Sequence, residues 1–258
     1  MTGVNIRHWP GDADGPALAL HCMMGSAASW GPVAEALAGR VDLRAFDMPG
    51  HGRSGDWMPG AQDPDYHTAV TRMAAAMIDR PLDLIGHSFG ATVALRIAVA
   101  APDAIRSLTL IEPVLFAAAP SADQDRLDAA LGDLLADDRD AEAAALFLRA
   151  WNGQDLAALP APIQAQLTRQ IRLVSLTAPA LREDSGRILR EGGLESLDAP
   201  VLLIRGADSP PVIEAIGDAL AHRLNDVGRA VVPGAGHMLP LTHPAQVAGL
   251  IGANLDRA

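Results

Sequence analysis

Apolar and polar positions alternate along the chain in blocks that differ in length. Six mainly apolar runs have the length of buried strands, at 17–21, 41–47, 82–85, 108–111, 201–204 and 229–232. Four longer stretches between them have helical composition, at about 30–37, 68–78, 89–100 and 245–255. Strands that alternate with helices are typical of a mostly parallel sheet flanked by helices. The sequence therefore predicts an α/β fold.

This rhythm changes between residues 113 and 197. The stretch is rich in Ala, Leu and Asp, contains no convincing strand, and predicts amphipathic helices at 123–135, 140–150 and 163–176, with Pro179 among the prolines that interrupt it. More than 80 residues is too long for one crossover between strands. We therefore predict a helical cap at 116–196, inserted into a core formed by 1–115 and 197–258. Such a cap would lie over the carboxyl ends of the strands, where α/β sheets bind ligands.

Composition narrows the class of function. Of 258 residues, 49% are apolar, and 31 Asp and Glu against 20 Lys and Arg give a net charge of −11. Nucleic acids and anionic membranes require a basic surface, so we expect neither as a partner. The chain has one cysteine and no His, Asp or Glu spacing typical of a metal site, so no metal or other cofactor is expected. Without a membrane-spanning run or a signal-like N-terminus, we expect a cytoplasmic monomer or homodimer that acts on a small molecule.

The strongest chemical motif is Gly-His-Ser-Phe-Gly at 86–90. It lies between a predicted strand and a predicted helix, which is the context of a nucleophile elbow. Small residues are needed two positions before and after Ser88, because a side chain there would strike the neighbouring backbone. We predict that Ser88 is a nucleophile, the alternative being a structural serine in a tight turn.

A serine nucleophile requires a general base, because its hydroxyl is scarcely ionised at neutral pH. His237 is the best-placed histidine, since it ends the flexible run Pro-Gly-Ala-Gly-His at 233–237, directly after the last predicted strand. His87, although adjacent to Ser88, is expected to point away from the nucleophile and to be structural.

Four motifs in this order resemble the α/β-hydrolase superfamily over nearly the whole chain: 21–26 (HCMMGS), 47–54 (DMPGHGRS), the elbow, and 234–237 (GAGH). The resemblance implies an oxyanion hole built from the backbone N–H groups of Met23 and Phe89. Cys22 stands where the family usually has glycine, and we interpret it as a buried filler rather than a reactive thiol. Asp47, Arg53 and Ser54 are expected to brace their loop by hydrogen bonds.

Two carboxylates compete to orient His237. The family most often places the acid three residues beyond a glycine after the strand at 201–204, but that position holds Ser209, and Asp208 comes one residue early. Some relatives take the acid from the end of the strand after the elbow, where this chain has Glu112. We favour Glu112 slightly for its reach and its place at a strand end, and Asp208 remains the alternative.

These residues predict a serine hydrolase that cleaves a small carboxylic ester or lactone through an acyl-enzyme. Phe116, Phe147, Leu148 and Trp151 are expected either to line an apolar acyl pocket or to join the cap to the core. The alternatives are a diketone hydrolase that breaks a C–C bond with the same triad, a receptor with little turnover, and an inactive hydrolase with a displaced acid. Relatives with an Asp nucleophile are excluded by Ser88.

Overall fold

The computed structural model describes residues 3–59 and 65–258. Residues 1–2 and 60–64 lie outside it, so the chain between the motif at 47–54 and the helix predicted at 68–78 is described only in part.

A single seven-stranded sheet in the order β1-β3-β2-β4-β5-β6-β7 forms the centre of the described chain. All neighbouring strands are parallel except β1, which is antiparallel to β3. The strands are β1 (Ile6–Trp9), β2 (Pro16–Leu20), β3 (Asp42–Phe46), β4 (Leu82–His87), β5 (Ile105–Ile111), β6 (Val201–Gly206) and β7 (Val227–Val232). The α/β prediction is confirmed, and several strands extend beyond their apolar runs.

Helices cover both faces of this sheet. They are α1 (Gly31–Leu37), α2 (Tyr66–Ala75), α3 (Phe89–Ala100), α4 (Ala122–Ala136), α5 (Asp140–Asn152), α6 (Ala161–Glu183), α7 (Pro211–Ala221), α8 (Leu239–Thr242) and α9 (Pro244–Leu255). One apolar cluster joins the sheet to α2, α3 and α7, and a second joins the other face to α1 and α9. Every residue of β4 is buried, because the strand lies mid-sheet with both faces covered. This arrangement holds the carboxyl end of β4 in a fixed position.

The segment between β5 and β6 contains the helices α4, α5 and α6 and no strand. It has an apolar cluster of its own, which includes Leu131, Leu148 and Ile171. We predicted a helix end near residue 176, but α6 continues through Pro179 to Glu183. The reason is that Ala180 and Leu181 beyond the proline are buried, while the carbonyl that Pro179 leaves without a donor belongs to exposed Ser175 and can bind water.

Candidate active site

The nucleophile elbow joins β4 to α3 through a strained residue. Ser88 has φ 55° and ψ −117°, a conformation that costs a non-glycine residue roughly 1–3 kcal/mol. A Cβ at Gly86 would lie 2.5 Å from the Cα of Ala91, and one at Gly90 would lie 2.3 Å from the carbonyl oxygen of Leu20. Both glycines are therefore required by close backbone contact. The strained turn presents the Ser88 hydroxyl at the carboxyl edge of the sheet.

Three side chains form a continuous chain of hydrogen bonds at this edge. The Ser88 hydroxyl lies 2.9 Å from His237 Nε2, and His237 Nδ1 lies 3.0 Å from Glu112 Oε2. Since Nδ1–H donates to the carboxylate, Nε2 is left free to accept the serine proton. All three are buried, with Glu112 0% exposed. The structure thus brings Ser88, His237 and Glu112 together as nucleophile, base and acid would have to be.

The second oxygen of Glu112 is also held in place. Oε1 accepts the backbone N–H of Gly206 at 2.6 Å and the hydroxyl of Ser209 at 2.8 Å. Ser209, which occupies the position where the family usually has its acid, therefore binds the carboxylate that stands in for it. Glu112 has φ 52°, a strained value for a non-glycine residue that turns its side chain toward β6.

Asp208 is not brought to His237. Its side chain is exposed, and its backbone N–H donates to the carbonyl of Ala235 at 2.9 Å. The one-residue shift noted in the sequence thus has a physical consequence: this loop turns Ser209, and not Asp208, inward. The geometry contradicts Asp208 as the partner of His237.

Two buried histidines fix the loop that carries Met23. The backbone N–H of Met48 donates to His21 Nε2, and His21 Nδ1–H donates to the carbonyl of Cys22 at 2.7 Å. In the same way the N–H of Met24 donates to His51 Nε2 at 3.0 Å. Burial lowers the pKa of His21 to about 3 and that of His51 to about 4, so both rings are neutral and can accept these protons. These two roles were not predicted from the sequence. The histidine that each of the motifs at 21–26 and 47–54 contains could have indicated them.

Asp47 connects the loop that carries Met23 to the loop at 47–54 through hydrogen bonds. It accepts the backbone N–H groups of Ala27 at 2.7 Å and Arg53 at 2.8 Å, while the hydroxyl of Ser54 donates to its carbonyl at 2.6 Å. Burial alone would raise the pKa of Asp47, but the hydrogen bonds from Arg53 and Ala27 outweigh it and the pKa is lowered. These contacts agree with the bracing expected for Asp47, Arg53 and Ser54.

Cys22 is buried beneath this loop. Burial raises the pKa of its thiol to about 12, so the thiol stays protonated at neutral pH. A reactive cysteine needs an accessible thiolate, so this buried and protonated side chain does not fit that role. The side chain fills space beside Gly25, where a Cβ would lie 3.0 Å from the Cys22 sulfur.

His87 holds the backbone of the proposed base. Its Nε2–H donates to the carbonyl oxygen of His237 at 2.8 Å, and burial lowers its pKa to about 3. The ring therefore contacts the loop of His237 rather than the nucleophile next to it in sequence. This is a structural role, as expected, but one directed at the catalytic edge.

A small cavity of about 50 Å³ lies over Ser88. Its walls combine core residues, including Met23, Phe89 and His237, with residues of α4, α5 and α6. Phe116, Phe147 and Trp151 all line it, and the Trp151 ring lies 4.6 Å from that of His237. Leu148 does not line it and packs instead in the apolar cluster of the segment between β5 and β6. Phe89 is the first residue of α3, where backbone N–H groups have no partner within the helix.

Among the described residues, no group of three or more His, Cys, Asp or Glu side chains is arranged to hold a metal ion. In the same part of the chain, no helix is long and apolar enough to cross a bilayer.

Comparison with known proteins shows the family to which this chain belongs. The sequence profile of the alpha/beta hydrolase family matches residues 17–250, which is most of the chain. The chain belongs to the alpha/beta hydrolase family. Its fold resembles a crystal structure of a hydrolase from Pseudomonas aeruginosa with a TM-score of 0.74 and 22% identity, over 98% of this chain and 94% of that one. At this identity the likeness shows the fold.

Two relatives of this family member have named activities. The chain is 31% identical over 232 residues to the pimeloyl-(acyl-carrier protein) methyl ester esterase of Methylococcus capsulatus. This match covers 86% of this chain and 87% of that protein. It is 28% identical over 250 residues to lipase LipV of Mycobacterium tuberculosis. This match covers 93% of this chain and 94% of the lipase.

Proposed function

We propose that this protein is a serine hydrolase that cleaves carboxylic esters through an acyl-enzyme on Ser88. The observation that carries the proposal is the unbroken hydrogen-bond chain from Ser88 through His237 to Glu112. The named relatives, a methyl ester esterase and a lipase, support an ester bond as the target.

The geometry supports a two-step reaction. His237 Nε2 takes the Ser88 proton as Oγ bonds to the carbonyl carbon, and the backbone N–H groups of Met23 and Phe89 hold the resulting oxyanion. Each such donor contributes about 3 kcal/mol in other enzymes. The C–O bond to the alcohol then breaks, and the alcohol leaves with the proton from His237. Water, activated by the same imidazole, attacks the acyl carbon and releases the acid and free Ser88.

Glu112 has a positioning and electrostatic role in this reaction. Its buried carboxylate fixes the tautomer of His237 and stabilises the imidazolium that forms in each step. The donors on its other oxygen, from Gly206 and Ser209, prevent it from rotating away.

Small esters and lactones are the proposed substrates. The cavity over Ser88 holds about 50 Å³ and has mainly apolar walls. We propose that the segment 116–196 acts as the cap that closes this cavity, since its residues form one wall. Diketone hydrolysis and ligand binding with little turnover would use the same side chains and are separated from ester hydrolysis by experiment.

Hydrolysis of p-nitrophenyl butyrate by the wild type and by Ser88→Ala tests the proposal. The exposed Ser196, which lies before β6, provides the matched control Ser196→Ala. We expect turnover in the wild type and in Ser196→Ala and none in Ser88→Ala. Equal activity in Ser88→Ala would refute Ser88 as nucleophile. If no protein turned over this ester or a panel of esters and lactones, the diketone hydrolase and the receptor would be favoured.

A further inference from the structure

Two cavities meet at the proposed triad, and they differ greatly in size. The inner one, of about 50 Å³, contains Ser88, Met23 and Phe89. An outer groove of about 880 Å³ lies between the end of α5 and the loops after β6 and β7. Of the residues that the structure describes, only Trp151 and His237 line both. These two rings, which are tilted by 52° with their centroids 4.6 Å apart, therefore form the boundary between the two spaces.

The chemistry of ester cleavage assigns a part of the substrate to each side. The acyl carbon must reach the Ser88 hydroxyl, and its oxygen must reach the N–H groups of Met23 and Phe89, all of which belong to the inner cavity. The leaving alcohol takes its proton from His237, whose ring also lines the outer groove. At the ~10–15 Å³ that one ordered water needs, the inner cavity accommodates about four water-sized groups. It is large enough for a short acyl chain only.

We propose that the preferred substrates are esters of a short acyl group with a bulky, polar alcohol, and that Trp151 is the residue that sets this preference. The proposal rests on the function proposed above and specifies its substrate class. The acyl group occupies the inner cavity, the alcohol lies in the outer groove, and the indole of Trp151 closes the inner cavity at the boundary.

The groove is lined in part by polar side chains that a polar alcohol can contact, namely Asn152, Gln154, Asp208 and Thr242. The indole N–H of Trp151 and the side-chain carbonyl of Asn152 are buried and have no hydrogen-bond partner among the described residues. Trp151 is 7% exposed. Unpaired buried groups are rare in folded proteins and call for a partner.

The charge of the groove excludes one class of alcohol. Among the described residues that line the groove, Asp208 is the sole carboxylate and there is no arginine or lysine. An alcohol that carries an anionic group before cleavage would be repelled by Asp208, and no cationic side chain in this set compensates the repulsion. The residue that failed as a triad member therefore helps to define the groove.

Two isomeric esters test the size rule, because they share one formula and differ only in which side is long. Hexyl acetate has a two-carbon acyl group, whereas methyl heptanoate has a seven-carbon acyl group and the smallest alcohol. We expect kcat/KM of the wild type to favour hexyl acetate at least tenfold. Preference for methyl heptanoate, with hydrolysis that still requires Ser88, would overturn the inference and leave the proposed function intact. Hydrolysis that persists in Ser88→Ala would overturn the proposed function itself.

Trp151→Ala joins the two spaces and should reduce the preference for hexyl acetate to within about threefold. Trp9, a partly buried tryptophan on the edge strand β1, provides the control Trp9→Ala, in which the preference should persist. An unchanged preference in a folded Trp151→Ala would show that Trp151 does not set it.

A second variant keeps the inference falsifiable if Trp151→Ala fails to fold. Ala178 of α6 lines the inner cavity and is half-buried. Ala178→Leu should lower kcat/KM for p-nitrophenyl butyrate at least tenfold relative to p-nitrophenyl acetate, since both share one leaving group. An equal effect on the two esters would show that the acyl group does not occupy this cavity.

The polarity rule is tested by adding one hydroxyl. In the wild type, 6-hydroxyhexyl acetate should exceed hexyl acetate about threefold or more in kcat/KM, and Asn152→Leu should abolish this advantage. Equal kcat/KM for the two acetates in the wild type would refute the polar alcohol.

Discussion

The core wall and the cap wall of the site differ in how their polar groups are paired. On the core wall, Ser88, His237 and both oxygens of Glu112 all have hydrogen-bond partners, and His87 binds the backbone of His237. On the cap wall, the indole N–H of Trp151 and the carbonyl of Asn152 are buried with no partner among the described residues. Groups that are already oriented need no reorganisation during reaction. The core wall is thus oriented for the proposed chemistry, whereas the wall formed by the proposed cap keeps polar groups without a partner in the described part of the chain.

The largest expected effect comes from breaking the core network at Glu112. Glu112→Gln keeps the shape but removes the charge that stabilises the imidazolium, so kcat should fall about 10⁴-fold. Asp208→Asn, the matched change at the exposed alternative, should alter kcat by no more than a few-fold. Steady-state kinetics with p-nitrophenyl butyrate measures both. Small losses in both variants, or the larger loss in Asp208→Asn, would remove Glu112 from the proposed mechanism.

The second effect in size is expected from acid, which should lower the free energy of unfolding because it protonates buried histidines near the core wall. Burial lowers the pKa of His21 and His87 to about 3 and that of His51 and His67 to about 4. The unfolded chain binds these protons near pH 6.5. The contribution of each neutral histidine to the free energy of unfolding is therefore fully present above pH 6.5. It falls as the pH drops toward the pKa values of the folded state, by up to about 2 kcal/mol per histidine between pH 7 and 5.

Urea unfolding at pH 7 and pH 5 measures this loss. A free energy of unfolding that does not change between these two values would show that the four histidines are not buried in their neutral form.

A smaller effect is expected from His87→Leu. The buried carbonyl of His237 would lose its donor, which costs roughly 1–3 kcal/mol of unfolding free energy. Because this carbonyl belongs to the residue that carries the base, we also expect a lower kcat. His222→Gln, at the end of α7, is the control. If the two variants matched in stability and kcat, the contact of His87 with His237 would have no importance.

The smallest effect is expected on the cap wall. Trp151→Phe removes an N–H that has no partner, so the free energy of unfolding should change by less than about 1 kcal/mol, apart from the small loss of ring area. The contrast with His87→Leu sharpens the difference between the two walls. A destabilisation as large as that of His87→Leu would mean that the indole N–H is paired.

Local motifs made part of this site predictable. Ser88 follows from the glycines around it and from the strand and helix beside it, and His237 follows from a flexible run after the last strand. Both depend on a few adjacent residues, so the sequence pattern is sufficient. The segment 116–196 could likewise be distinguished from the core in the sequence, because its composition differs and it has no strand pattern.

The remaining features depend on contacts between distant parts of the chain. Whether Glu112 or Asp208 faces His237 is decided by a one-residue difference in the loop after β6 and by a positive φ at Glu112, which no local pattern signals. The course of α6 through Pro179 depends on the burial of Leu181 against the core. The partners of His21, His51 and His87 likewise arise only when separate loops pack together.

Covalent labelling of Ser88 tests the central claim most directly. Diethyl p-nitrophenyl phosphate transfers its diethylphosphoryl group to an activated serine and releases p-nitrophenolate, and peptide mass spectrometry locates the group. We expect one label per chain, on Ser88, with labelling abolished in Ser88→Ala and slowed in Glu112→Gln but not in Asp208→Asn. Absence of label on Ser88 in a protein that hydrolyses esters, or a label on another residue, would contradict it.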